Sequence, residues 1–129
     1  MTNQPNYETL WNGKIEYLRE SRKDLWNADY FAFLVEHVWK FDKPVKIIDF
    51  GCGMGYMGSV LLPLLPEGST YTGLDVAANL LEQARDTFAK TPWQTEFIEQ
   101  DLTTYEPKEA YDLTICQCAL IHIPSPPLF

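Results

Sequence analysis

The sequence predicts an α/β fold built on a doubly wound, open parallel sheet, and two observations lead to that prediction. The first is a buried-strand pattern at residues 45–48, followed by a glycine-rich turn at 51–58 and an apolar helical run from residue 60. A strand, a glycine turn and a helix in this order form the first unit of nucleotide-binding α/β folds. The second observation is that three more strand patterns follow, at residues 69–74, 94–99 and 111–118.

The segment before the first strand is expected to form a helical cap. Apolar residues recur at helical spacing over residues 7–25 and again over 28–41, and Asn27 is a suitable N-cap for the second helix. The aromatic residues of these helices either pack against the sheet or cover a site. We expect the cap to span residues 1–43 and the sheet-bearing unit to span 44–129, with both forming one compact body.

Composition and charge exclude several classes of function. With 129 residues, the chain is long enough for one domain with its own core. A net charge of −8 argues against broad contacts to a nucleic-acid backbone. No apolar run approaches the roughly 20 residues that cross a bilayer, and the polar N-terminus lacks a signal-peptide core, so we expect a cytoplasmic protein without a membrane partner. Cys116-x-Cys118 lacks the paired clusters of a zinc site, so no metal is expected.

Acidic residues end or closely follow three of the four predicted strands, at Asp49, Asp75 and Asp101. The carboxyl ends of parallel strands meet at one edge of a sheet, so these three carboxylates should face one ligand site. Asp75 could accept hydrogen bonds from both hydroxyls of a ribose, and its alternative role is to cap the helix that follows it. Asp75 thus supports a ligand that contains a nucleoside, and three acids at one edge of the sheet are harder to explain as turn residues than each would be singly.

The sequence of the glycine turn matches motifs for two classes of ligand. Gly53-x-Gly55-x-x-Gly58 is a literal dinucleotide-binding string, which is a weak signal by itself. Asp49-x-Gly51-x-Gly53-x-Gly55 resembles the first motif of the class I S-adenosylmethionine (SAM)-dependent methyltransferases. A carboxylate at Asp49 would repel the pyrophosphate of NAD, whereas it suits the ammonium and sulfonium groups of SAM. The sequence therefore favours SAM as the cofactor.

This resemblance implies a role for each part of the edge. The turn and Asp49 would hold the methionine end of SAM, Asp75 its ribose, and Asp101 with Leu102 its adenine. Tyr30 lies in a polar-aromatic segment that resembles one facing the SAM carboxylate in some family members. The expected cofactor contacts are Asp49, Gly51, Cys52, Gly53, Gly55, Asp75, Val76, Asp101, Leu102, Gln117 and Tyr30.

The segment after strand 4 is expected to line the pocket that cofactor and acceptor share. It runs from Gln117 to His122. His122 is a candidate general base beside a methyl acceptor, and its alternative role is that of a structural histidine next to an apolar strand. Because methyl transfer from SAM can depend largely on proximity and orientation, a methyltransferase function does not require a dedicated base.

The resemblance also fixes the expected strand order and its limit. The family's sheet has seven strands in the order 3-2-1-4-5-7-6, and this sequence supplies four, so we expect the order 3-2-1-4 with strands 5–7 absent. Strand 4 then becomes an apolar edge at residues 113–116, which invites pairing with another chain. We expect a homodimer through this edge, coverage by the chain's own tail, or a truncated product of a longer enzyme.

Three functions follow from these expectations. The first is a SAM-dependent methyltransferase acting on a small-molecule acceptor, in general resemblance to small-molecule methyltransferases that include those of quinone biosynthesis. The second is a non-catalytic SAM-binding or interaction module, which the missing part of the sheet motivates. The third is a fragment of an NAD-dependent oxidoreductase, which the carboxylate of Asp49 disfavours.

Overall fold

The core of the molecule is a four-stranded parallel sheet with the strand order β3-β2-β1-β4, which confirms the predicted order. The structure is a computed structural model and describes residues 7–25 and 27–117. The strands are β1 (Lys46–Phe50), β2 (Thr70–Asp75), β3 (Gln94–Glu99) and β4 (Leu113–Ile115). β3 has the predicted bounds, whereas β4 is shorter than expected. Asp112 lies before β4, where its backbone N–H donates to the Lys46 carbonyl at 2.9 Å.

Five α-helices accompany the sheet in the described residues, and two of them continue in a different helical form. They are α1 (Tyr7–Asn12), α2 (Ile15–Leu25), α3 (Ala28–Phe33), α4 (Tyr56–Leu61) and α5 (Ala78–Ala89). α3 continues as a π-helix over Leu34–Trp39, and α4 continues as a 3₁₀ turn over Leu62–Leu64. Pro63 lies in that turn, as expected of a residue that cannot extend an α-helix. No helix in the described ranges is long and apolar enough to cross a membrane.

One face of the sheet packs against α3, α4 and α5 to form the main core. In the parallel register Ile47 lies beside Tyr71 on one side and Leu113 on the other, so these side chains share that face. The core on this face also contains Leu61 of α4 and Leu81 of α5, both fully buried. This layer holds the glycine turn, which lies between β1 and α4, against the sheet.

The opposite face is covered by the connection from β3 to β4 rather than by a helix. Connections between parallel strands are right-handed, so the chain must cross on the other face when the strand order reverses after β3. The Tyr105 ring of this connection meets Phe50 with ring centroids 5.9 Å apart, and Asp112 of the same connection accepts from the Lys46 backbone N–H at 2.8 Å. The sheet is therefore doubly wound, although its second layer is a non-helical segment in the described residues.

The N-terminal helices lie next to the glycine turn. The expected helix over residues 7–25 is interrupted at Gly13, which is costly in a helix interior, and two helices result. Leu18 of α2 packs in a second apolar cluster with Leu80 of α5, and Met54 of the turn contacts that cluster. The backbone N–H of Asn79 also donates to the side chain of Asn12 at 3.0 Å. The cap is thus attached to the start of α5, and the proposed division at residue 43 stays a prediction.

Candidate functional site

The glycine turn after β1 is held open by positive φ angles and fixed to the end of β2. Gly51, Gly53 and Gly55 have φ angles of 74°, 56° and 77°, a region that side chains of other residues rarely adopt. The backbone N–H groups of Gly51 and Cys52 both donate to the Leu74 carbonyl, at 2.8 and 2.9 Å. The turn therefore has a defined shape before any ligand binds.

Two of these glycines have very different surroundings. A Cβ added at Gly55 would lie 2.9 Å from the Phe88 ring and 3.3 Å from the Phe97 ring, so this residue packs closely against the core. A Cβ at Gly53 would meet no atom within 4 Å. The backbone at Gly53 is thus open on one side, as a surface that a ligand approaches closely should be.

Asp75 connects the end of β2 to this open glycine. Its Oδ2 accepts from the Gly53 backbone N–H at 2.8 Å, and its Oδ1 accepts from the Ala77 N–H at 2.9 Å. Burial raises the pKa of this carboxyl above its ordinary value, while the hydrogen bonds from Ala77, Gly53 and Val76 act in the opposite direction. The N-cap of α5 is Ala77, so the helix-capping alternative for Asp75 is not the arrangement found. Each carboxylate oxygen retains a second lone pair for a ligand.

Asp49 lies beneath the turn and not on its surface. Only 2% of the residue is exposed, and the hydroxyl of Tyr71 donates a hydrogen bond to its Oδ2. Burial raises the pKa of Asp49 to about 7, the Tyr71 hydrogen bond lowers it, and the nearby Asp75 raises it. A carboxylate in this position acts on the turn through its electric field more readily than by contact, and the expected contact with a cofactor stays a prediction.

Asp101 lies in an exposed turn after β3. Its Oδ1 accepts from the backbone N–H and the hydroxyl of Thr103, at 2.8 and 2.7 Å. These hydrogen bonds lower the pKa of the Asp101 carboxyl. The neighbouring Gln100 N–H donates to the Asp75 carbonyl at 3.0 Å, which brings this turn to the same edge of the sheet as Asp75. Leu102 is half-buried there.

A separate cleft opens between α3 and the edge of β4. Its volume is about 650 Å³. Tyr30 and Gln117, two of the predicted site residues, are on its wall together with Met57, which lies two residues after Gly55. The residues lining the cleft are Asn27, Tyr30, Phe31, Leu34, Trp39, Met57, Leu113, Thr114, Ile115, Cys116 and Gln117. The wall combines apolar and aromatic side chains with polar groups, among them Asn27, Thr114 and Gln117.

The structure thus brings the predicted residues together in two groups. Asp49, Gly51, Cys52, Gly53, Gly55, Asp75 and Val76 surround the glycine turn, with Asp101 and Leu102 on the same edge of the sheet. Tyr30 and Gln117 are together in the cleft. His122 and Cys118 lie outside the described residues.

Sequence reasoning missed two residues that shape these groups. The sequence pattern places Tyr71 in a buried strand; a buried tyrosine hydroxyl needs a hydrogen-bond partner, and the acid one strand away is a detectable candidate. The sequence predicts a regular α-helix around Trp39, whereas the π-helix places this residue on the cleft wall together with Leu34, five residues earlier. Nothing in the local sequence indicates the change from α- to π-helical hydrogen bonding.

Comparison with known protein families identifies relatives of the chain. Residues 47–128 match a family model described as a methyltransferase domain. Ubiquinone biosynthesis O-methyltransferase of Klebsiella pneumoniae is 31% identical over 83 residues, which are 63% of this chain and 33% of that protein. Malonyl-[acyl-carrier protein] O-methyltransferase of Acetivibrio thermocellus is 38% identical over 71 residues, which are 55% of this chain and 24% of that protein. The chain spans about a third or less of the length of these curated relatives.

Solved structures share the fold. SAM-bound CalS10, an amino pentose methyltransferase from Micromonospora echinaspora, superposes with a TM-score of 0.62 at 19% identity, over 84% of this chain and 44% of its own. The plantazolicin methyltransferase BpumL, in complex with a monoazolic desmethylPZN analog and S-adenosylhomocysteine (SAH), has a TM-score of 0.51 at 27% identity, over 67% of this chain and 33% of its own. With residues 47–128 matched by the family model, the chain belongs to the methyltransferase domain family.

Proposed function

We propose that this chain carries the cofactor-binding part of a SAM-dependent methyltransferase that acts on a small-molecule acceptor. The observation that carries the proposal is the contact between Asp75 and Gly53, at 2.8 Å, which joins the acid after β2 to the open residue of the glycine turn. Membership of the methyltransferase domain family supports it. The similarity to an O-methyltransferase of ubiquinone biosynthesis supports a small acceptor.

The residues around the turn suit the parts of SAM. Asp75 would accept hydrogen bonds from the ribose hydroxyls through the lone pairs that Gly53 and Ala77 leave free. The open backbone at Gly53 would allow the methionine end to approach, and Asp101 with Leu102 would hold the adenine. When bound, the cofactor would supply an activated methyl group, and the protein would contribute proximity and orientation for its transfer to a nucleophile.

The cleft between α3 and β4 supports a place for the acceptor. It is about 650 Å³ in volume, within the range of small-molecule sites, and its walls carry both apolar and polar groups. Met57 links it to the glycine turn, because this residue lies in the first turn of α4. In this proposal Tyr30 and Gln117 face the boundary between cofactor and acceptor, and the assignment of His122 as a base stays a prediction.

The free edge of β4 leads to a proposal about assembly. β4 pairs with β1 on one side only within the described residues, and Thr114 in its middle is exposed. We infer that a second copy of the chain pairs with this edge and completes the sheet, because unpaired strand edges readily bind other strands. The cytoplasmic location and the lack of a nucleic-acid partner remain predictions from the sequence.

Isothermal titration with SAH tests the cofactor assignment. The wild-type chain should bind SAH saturably, and Asp75→Ala should weaken binding by about ten-fold or more, because it removes an ionic acceptor for the ribose. Asp86→Ala is the matched control, since it removes an exposed carboxylate from the middle of α5 and should leave binding unchanged. Thermal unfolding of each variant checks that it is folded. A folded wild-type chain that does not bind SAH would overturn the proposal.

A further inference from the structure

Asp49 and Tyr71 form a buried pair that the proposed cofactor contacts do not explain. They lie on neighbouring strands and on the same face of the sheet, because Asp49 is opposite Gly73 and Tyr71 is opposite Ile47 in the parallel register. Asp49 is 2% exposed, Tyr71 is 0% exposed, and the hydroxyl of Tyr71 donates to Oδ2 of Asp49. A carboxyl group and a phenol are thus joined in the core directly below the glycine turn.

The ring of Tyr71 is enclosed by its neighbours, and its hydroxyl is directed at Asp49. A Cβ added at Gly58 of α4 would lie 3.0 Å from three ring carbons, which shows that the helix backbone rests on the ring. On other sides the ring stacks on Phe88 at a centroid distance of 6.0 Å and meets Phe97 at the same distance. This close packing holds the ring in its position. The lack of a side chain at Gly58 therefore leaves room for the Tyr71 ring.

The charge state of Asp49 depends on this hydroxyl. Burial disfavours the ionised carboxylate and so does the nearby Asp75, whereas the hydrogen bond from Tyr71 favours it. Cys52 of the turn is a neutral neighbour, because burial raises the pKa of its thiol far above the ordinary value. The cation of α5 on this side is Arg85. Its charge acts to lower the pKa of the Cys52 thiol, and its guanidinium donates a hydrogen bond to the Phe97 carbonyl at 2.9 Å.

We propose that Tyr71 is a positioning residue of the cofactor site, whose hydroxyl orients the Asp49 carboxyl and favours a negative charge there, so that the turn above it attracts the cationic methionine end of the cofactor. The inference rests on the proposed binding of SAM, but the coupling between Tyr71 and Asp49 exists without any ligand. Tyr71 does not touch the cofactor in this proposal and acts through Asp49.

The first test is made on the free protein and compares unfolding free energies between about pH 5 and pH 9. Because the folded pKa of Asp49 is above its unfolded value, the stability that this group contributes is fully present below the unfolded pKa and is lost as pH rises to the folded pKa of about 7. Tyr71→Phe removes the donor and raises the folded pKa further, so the loss should begin at the same pH but continue about one pH unit higher before it levels off. When Asp49 is already replaced by Asn, adding Tyr71→Phe should leave the pH dependence of the unfolding free energy unaltered. Tyr17→Phe, at an exposed tyrosine, should leave the pH dependence of the wild type unaltered. Equal profiles for wild type and Tyr71→Phe would refute the coupling.

The second test is the binding of SAM and adenosine, since adenosine lacks the cationic methionine end. Tyr71→Phe should weaken SAM binding about ten-fold near pH 7, recover much of it near pH 9 as Asp49 ionises, and leave adenosine binding unchanged. Equal losses for both ligands at every pH would show a merely structural role and overturn the inference. If the wild type binds neither ligand while the pH profiles still differ, the proposed function fails and the Tyr71–Asp49 coupling stands.

Discussion

At the scale of single residues, Gly53 and Gly55 are two turn glycines with the same backbone region and different surroundings. Alanine at either position adopts a left-handed φ, which costs about 1–2 kcal/mol. At Gly55 the new methyl also meets Phe88 at 2.9 Å, and such overpacking adds roughly 1–3 kcal/mol. We expect Gly55→Ala to lower the free energy of unfolding clearly more than Gly53→Ala.

Urea denaturation and SAH titration of the two variants separate stability from binding. Gly53→Ala places its methyl in open space, where we propose that the cofactor approaches, so it should lose affinity out of proportion to its loss of stability. Gly55→Ala should instead lose stability out of proportion to its loss of SAH affinity. If Gly53→Ala bound SAH as the wild type does, the open side of Gly53 would not be the surface that the cofactor contacts.

Individual acids could be read from the sequence because their position along the chain determines their position in the sheet. Asp75 ends β2, and any residue there meets the turn after β1 in a parallel sheet. The sequence does not indicate how deeply each carboxylate is buried. Asp49 is buried and Asp101 is exposed, because the first points into the layer below α4 and the second follows a strand at the edge of the sheet.

At the scale of elements, Ser69 joins the starts of β1 and β2. Its hydroxyl accepts from the Val45 backbone N–H at 2.9 Å and donates to the Pro66 carbonyl at 2.7 Å, and both Ser69 and Val45 are buried. Ser69→Ala would leave the Val45 N–H without its partner in a place that water does not reach. We expect the free energy of unfolding to fall by about 1–3 kcal/mol, measured by urea denaturation.

A second hydroxyl serves as the control for Ser69. Thr87 bonds to the Gln83 carbonyl at 2.9 Å on the exposed side of α5, where water can replace it, so Thr87→Ala should change stability by less than about 0.5 kcal/mol. Similar losses in the two variants would mean that the junction between β1 and β2 does not depend on this buried contact.

Elements were predictable where one local pattern determines them. The alternation of polar and apolar residues over 94–99 gave β3 with its observed bounds, and the Asn27 side chain caps α3 by accepting from the Asp29 N–H at 2.9 Å. The π-helix over Leu34–Trp39 was not predictable, because the same apolar spacing suits an α-helix. Packing of the buried Val35 against the core, rather than a local preference, accompanies the change.

At the scale of the whole molecule, the strand order determines which segments cover each face of the sheet. Helices α3, α4 and α5 cover one face and fix the glycine turn, while the connection after β3 covers the other. The sequence predicted the order through its resemblance to a known family, and chain connectivity then determined the face of each crossover. Within the described residues β4 pairs with β1 alone, and the pairing that we propose for its outer edge could not be predicted from the strand patterns.

The proposed pairing at the β4 edge makes a prediction about mass in solution. Two copies related by a two-fold axis would pair their β4 strands antiparallel and bring the two Thr114 residues close together. Light scattering should give twice the monomer mass for the wild type, and Thr114→Glu should give the monomer, because like charges across a two-fold axis repel each other. Thr87→Glu adds the same charge on α5, away from this edge, and should remain dimeric. A wild type that stays monomeric at every concentration measured would contradict the proposed dimer.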